Sequence, residues 1–123
     1  PIIEVLFKMK FKKMGYYSQM DFINREKKIL VEVKNRRIRH DSFNEIMIGL
    51  NKIKKAREMK KNGFRTFIFW NFKDGLYFYE PIEKDEHGMY IADGGTRRRG
   101  ENEVKLCYFV PHSLLTKAEK LIL

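Results

Sequence analysis

The sequence predicts an α/β fold, a mixed central β-sheet flanked by helices in the order helix, strand, strand, helix, strand, with extra C-terminal strands and a helix. Three observations carry this. Residues 17–23 and 29–34 are apolar, strand-like segments separated by the charge-rich residues 24–28, which is the pattern of a β-hairpin. A long amphipathic helical pattern follows, from Ser42 to Asn62. Directly after it, residues 64–72 form the most apolar run in the chain and read as a central strand, completing a β-α-β unit whose crossover should be right-handed.

In chain order, residues 2–14 carry both a helical stripe (Ile3, Leu6, Phe7, Phe11, Met14) and a strand-like alternation (Val5, Phe7, Met9, Phe11). Helix is the favoured reading, stopped by Gly15. In the hairpin, side chains repeat every two residues. Ile29, Val31 and Val33 therefore face one side, and Leu30, Glu32 and Lys34 the other. The turn lacks Gly and Asn-Gly, so a four-residue loop is expected, and pairing about Glu26 and Lys27 sets Asp21 opposite Glu32. Opposed residues have Cβ atoms roughly 4.5–5.5 Å apart, close enough for two carboxylates to share one divalent cation.

Ser42 and Glu45 match a capping box, and Phe43, Ile46, Met47, Leu50 and Ile53 then make an apolar stripe about 120° wide at 100° per residue. Lys54, Arg57 and Lys61 continue along that side, and Asn62-Gly63 ends the helix. Lys73-Asp74-Gly75 is a turn, residues 76–80 a strand closed off by Pro81, residues 89–92 a short strand, and residues 104–110 a late strand. A terminal amphipathic helix is expected over residues 113–123, with Leu114, Leu115, Ala118 and Leu121 inward.

Length and composition bound the function. At 123 residues, the chain is read as one domain spanning 1–123. Lys and Arg number 26 against 16 Asp and Glu, giving +10 at pH 7. Such an excess suits a polyanionic partner, since neutralising phosphates releases condensed counterions. Cys107 is alone, which excludes an internal disulfide and points to a reducing compartment and a small core residue. No run reaches the ~18–20 apolar residues of a membrane span, and no signal-peptide pattern opens the chain, so a soluble, intracellular protein with no membrane partner is expected. The chain begins at Pro1, leaving open whether residues precede it. A Gly-rich phosphate loop, zinc-ligand spacing and hydrolase triads are all missing from the sequence, so no small-molecule cofactor is expected.

Asp21 followed by Glu32-Val33-Lys34 resembles the catalytic signature of the PD-(D/E)XK nuclease superfamily, with Met20 where the motif's name has proline. The acid and the Glu-x-Lys sit on consecutive strands, a long helix follows, and the chain is basic, as that resemblance requires. It implies a restriction-endonuclease-like core and a metal-dependent endonuclease acting on DNA. Asp21 and Glu32 would hold Mg²⁺ or Mn²⁺, with the Val33 backbone carbonyl as a further ligand, and Glu4 on the opening helix is the acid available for an additional role. Lys34 would orient or help deprotonate the attacking water, and an ammonium beside a divalent cation should have a depressed pKa.

Arg36, Arg37 and Arg39 leave the strand just after Lys34 and are candidates for gripping the phosphodiester backbone in bidentate fashion. Lys54 and Arg57 are further DNA-contact candidates, and Gln19 a substrate contact. Arg97, Arg98 and Arg99, flanked by glycines, read either as a loop closing over nucleic acid or as a segment without a partner. The size, without an appended recognition domain, looks most like a Holliday-junction resolvase or a stand-alone repair or phage nuclease, which suggests junction or branched DNA. Resolvase-like cutting would require a homodimer. The alternative is a non-catalytic basic nucleic-acid-binding module.

Overall fold

The computed structural model describes residues 2–15, 20–86, 90–93 and 106–123. Its centre is a six-stranded mixed sheet in the order β1-β2-β3-β5-β6-β9, built from Lys12–Lys13, Phe22–Asn24, Ile29–Asn35, Arg65–Phe72, Gly75–Tyr79 and Thr116–Lys117 respectively. β3 and β5 run parallel and every other pairing in this sheet is antiparallel. The chain crosses between the parallel strands through β4 (Glu45–Gly49) and helix α2 (Leu50–Lys60). β4 belongs to a second sheet, β4-β8-β7, completed by Leu106–Pro111 and Tyr90–Asp93.

Alternation decides what each face of the main sheet buries. Ile29, Val31, Phe67, Phe69 and Phe78 pack on one face with Ile3 and Phe7 of helix α1 (Ile2–Phe7). On the other face Ile68, Trp70, Phe72 and Tyr77 pack against Ile53 of α2 and against Ile46, Ile48, Tyr108 and Val110 of the second sheet. Leu30, Met20 and Ile23 form a third cluster beside Met59 and Phe64. Glu32 therefore sits on an apolar face that α2 helps to cover, and it is buried.

The hairpin has the expected register: Phe22 pairs with Val31, Ile23 with Leu30 and Asn24 with Ile29, and residues 25–28 form the four-residue loop. Asn24 Oδ1 accepts the Lys27 N–H at 2.8 Å, and Lys28 takes the left-handed conformation (φ 57°) in place of a glycine. The strand expected over 17–23 begins at Phe22, since Met20 and Asp21 form a bend where the ladder to β3 ends; residues 16–19 lie outside the described residues.

Four expectations change. The opening helix does not run to Gly15. It stops at Phe7 with Lys8 left-handed (φ 55°), because the Glu4 carboxylate accepts the Phe11 N–H at 2.9 Å and the chain turns into β1. The helix expected from Ser42 begins at Leu50, since Ile46 and Ile48 alternate into the core as β4 and pair with Val110 and Tyr108. Ser42 caps no helix; its Oγ accepts the Arg39 N–H at 3.0 Å in a turn. The C-terminal helix over 113–123 is replaced by two 3-10 turns, His112–Leu114 and Ala118–Lys120, around β9, because Thr116 and Lys117 add to the edge of β6. The far end of α2 is as expected: Gly63 (φ 84°) reverses the chain, and its N–H bonds Lys60 O at 2.9 Å.

Candidate active site

Asp21 stands one residue before β2, where the ladder to β3 ends. Its N–H donates to Val31 O at 3.1 Å, and its carboxylate turns back along β3 to accept the Val33 N–H at 2.8 Å. That amide is left without a β2 partner, so the side chain takes the place of the missing strand residue. The same carboxyl group acts on Glu32, adding to the rise in its pKa. The two acids that the sequence sets opposite each other thus lie beside the same stretch of β3, Asp21 through its bond to the Val33 N–H and Glu32 as the residue before it.

Glu32 owes its state to burial and to two neighbours, Lys52 and Asp21. Its carboxyl is pushed up to about 6, chiefly by loss of solvent. The ion pair with Lys52 opposes the rise and the Asp21 carboxyl adds to it. Lys34 follows two residues later on the same face, half-buried, and burial pulls its ammonium below the usual lysine range; Glu32 counteracts this, while Arg36 and Lys52 reinforce it. The direction is the one expected from sequence, but its cause here is the protein interior.

Lys52 escaped the sequence analysis. In the first turn of α2, its Nζ lies 2.6 Å from Glu32 Oε2, with side chains only 17% and 7% exposed. A motif search has no reason to select it, because the contact joins elements twenty residues apart. The one legible signal is position: Ile53 and Ala56 are the buried face of α2, and Lys52 borders it, toward β3. Lys54 and Arg57 lie about 200° and 140° round the helix from Lys52 and are exposed.

Arg36 and Arg37 are exposed just beyond β3, and the Arg36 N–H ties that segment to Asn71 O at 3.0 Å. Arg39 is engaged elsewhere, 3.6 Å from both Asp41 and Asp74. Glu4, holding the Phe11 N–H, belongs to a helix packed on the sheet face opposite Glu32. Gln19, Arg97, Arg98 and Arg99 lie outside the described residues.

A second charged cluster gathers at the β5–β6 turn. His40 Nδ1 is 2.5 Å from Asp74 Oδ2, the His40 N–H donates to Asp74 Oδ1 at 2.9 Å, and the imidazole stacks on Tyr77 at 4.2 Å between ring centroids. His40, Asp41 and Asp74 offer ligand atoms within 4.8 Å of one another, the one group of three among the described residues that could hold an ion together.

The donor chemistry at Asp21 and Glu32 fits a hard divalent cation: two converging carboxylates, one of them buried, already draw in an ammonium. Comparison with known proteins bears on the same reading. A family model described as "Phage putative PDDEXK endonuclease" matches residues 2–118. Among solved structures, Archaeoglobus fulgidus Hjc, a Holliday junction resolvase from an archaeal hyperthermophile, is similar over 97% of this chain and 95% of its own, with a TM-score of 0.51 and 11% identity. That likeness shows the fold, a restriction-endonuclease-like mixed sheet flanked by helices. No curated protein matches. Among the described residues, no helix is long and apolar enough to cross a membrane.

Proposed function

Because the chain belongs to the phage PD-(D/E)XK endonuclease family, we propose that it is a single-domain, divalent-metal-dependent endonuclease hydrolysing DNA phosphodiester bonds at Asp21, Glu32 and Lys34. The observation that carries this is the approach of two acids from successive elements: the Asp21 carboxylate accepts the Val33 N–H beside Glu32 and raises the Glu32 pKa, with Lys34 next along the same face. Asp21, Glu32 and the Val33 carbonyl would hold Mg²⁺ or Mn²⁺, which supplies charge neutralisation on the phosphate and a more acidic attacking water.

The chain's own groups do the rest. Lys34, partly desolvated, orients the water and offsets charge as it develops. Arg36 and Arg37, exposed just beyond it, pair with flanking phosphates, consistent with the net charge of +10. Junction or branched DNA is the substrate suggested by the shared architecture with a resolvase, and cutting two strands in concert would call for a homodimer.

A second placement of the ion, at His40, Asp41 and Asp74, is favoured by their spacing. It is less suited, because both Asp74 carboxylate oxygens are taken by His40, through its N–H and its ring, and no residue of the Asp–Glu-x-Lys signature belongs to the cluster. The test is incubation with supercoiled, branched and single-stranded DNA, with Mg²⁺, Mn²⁺ or EDTA. Metal-dependent nicks are expected, with DNA retained in EDTA. Retention without cutting under any metal would make the protein a non-catalytic binding module instead.

A further inference from the structure

Glu32 and Lys52 form a pair that the proposed chemistry does not require. Both are largely withdrawn from water, they come from different layers, and their charged atoms are 2.6 Å apart. Counting Asp21 and Lys34, two acids face two ammoniums with no added ion, and Arg36 beside Lys34 adds further positive charge. A divalent cation on the same carboxylate would add two positive charges within about 4 Å of an ammonium, where Coulomb repulsion is large in a partly desolvated setting. One positive group must yield. Lys52 is the one in direct contact with the carboxylate, its Nζ 2.6 Å from Glu32 Oε2, whereas Lys34 stands two residues along the strand and acts on Glu32 through its charge.

We infer that Lys52 is the resident counterion of the acid pair: it neutralises Glu32 while no divalent ion is bound and gives Glu32 up when one binds, so it sets the metal affinity of the site. The inference rests on the placement of the ion proposed above, and it assigns Lys52 a positioning role through Glu32. Losing its charge should tighten metal binding, where losing a merely structural support would loosen it.

The measurement is Mn²⁺ binding to the EDTA-stripped, full-length protein, by titration calorimetry or by the spin-resonance signal of free Mn²⁺, with no DNA present. Lys52→Met should bind Mn²⁺ at least about tenfold more tightly than the parent. In EDTA it should melt below the parent, because Glu32 has lost its partner, and that deficit should narrow or reverse at saturating Mn²⁺. If Lys52→Met does not fold well enough to titrate, Lys52→Gln removes the charge while retaining a donor for Glu32, and the same tightening is expected. Equal or weaker Mn²⁺ affinity in the folded variant, with binding still abolished by Asp21→Asn, overturns the role of Lys52 and leaves the site assignment standing. Mn²⁺ affinity unchanged by both Asp21→Asn and Glu32→Gln overturns the site assignment itself, and this inference with it.

Discussion

Asp21, Glu32, Lys34 and Lys52 meet under a helix, whereas His40, Asp41 and Asp74 meet at a surface turn, and the same kinds of charge behave differently in the two places. Around Glu32, burial outweighs the neighbouring ammonium and raises the carboxyl to about 6. At Asp74, burial also raises the carboxyl, but hydrogen bonds from the His40 ring, the His40 N–H and its own backbone win, and it falls below the ordinary value. The surface cluster is a satisfied structural clasp that holds residues 39–41 to the β5–β6 turn, with Lys73 N–H bonded to Ile38 O beside it. The buried cluster keeps its charges unsettled, which is the condition under which an added ion or phosphate changes most.

The sharpest way to break this contrast is to remove acids from each cluster in turn. Asp21→Asn and Glu32→Gln should each lower nicking of supercoiled DNA by about 10³-fold or more, the several kcal/mol that a correctly held divalent ion supplies. Lys34→Ala should cost about 10²- to 10⁴-fold. Asp74→Asn and His40→Ala should leave nicking within about threefold, with any deficit appearing as a lower melting temperature. If folded Asp74→Asn loses as much cutting as Asp21→Asn, the ion belongs at the surface turn and the two clusters exchange roles.

How far the sequence reached follows the same division between local and distant pairing. The hairpin was legible because Ile29, Val31 and Val33 alternate with Leu30, Glu32 and Lys34, and its loop fixes the register within a few residues of Asp21. β4 was not. Phe43, Ile46, Met47, Leu50 and Ile53 satisfy a helical stripe, while Ile46 and Ile48 also satisfy alternation, and what decides is β8, some sixty residues onward. The C-terminal residues fail for the same reason, since Leu114, Leu115, Ala118 and Leu121 have helical spacing until the free edge of β6 claims Thr116 and Lys117. Lys52 is the functional counterpart: its partner is chosen by the packing of α2 on the sheet, which no local pattern encodes.

Acid titration of the metal-free protein sharpens the comparison more gently, because the two clusters should pull stability in opposite directions. Glu32 has a folded pKa raised from 4.5 to about 6, so the native state binds more protons than the unfolded chain between those values. Its contribution is full below about pH 4.5 and is lost as pH rises through about 6, a decline of at most about 2 kcal/mol. Asp74 has a lowered pKa, so its contribution is present above its unfolded value and is lost as pH falls. Urea denaturation in EDTA across pH 4 to 7 should show the Glu32 decline, and Glu32→Gln should flatten it. A parent curve that rises through this window would place Glu32 in an environment unlike the one described.

The smallest expected effect concerns which cations meet DNA, and it separates the end of β3 from the outer face of α2. Arg36 is exposed and near enough to Lys34 to disfavour its charged form, so a phosphate entering beside Lys34 meets Arg36 as well. Lys54 is exposed but lies about 200° round α2 from the lysine that reaches Glu32, which turns it away from the same phosphate. Counterion release converts each phosphate contact into a slope of about 0.9 in log affinity against log salt. Arg36→Ala and Arg37→Ala should therefore each reduce the magnitude of that slope by about 1, weaken binding similarly across DNA sequences, and leave metal affinity unchanged. Lys54→Ala should leave the slope as it is. A loss of slope in Lys54→Ala matching that in Arg36→Ala would mean that DNA wraps the far side of α2, and the approach to the acid pair would then have to be redrawn from the helix rather than from the strand end.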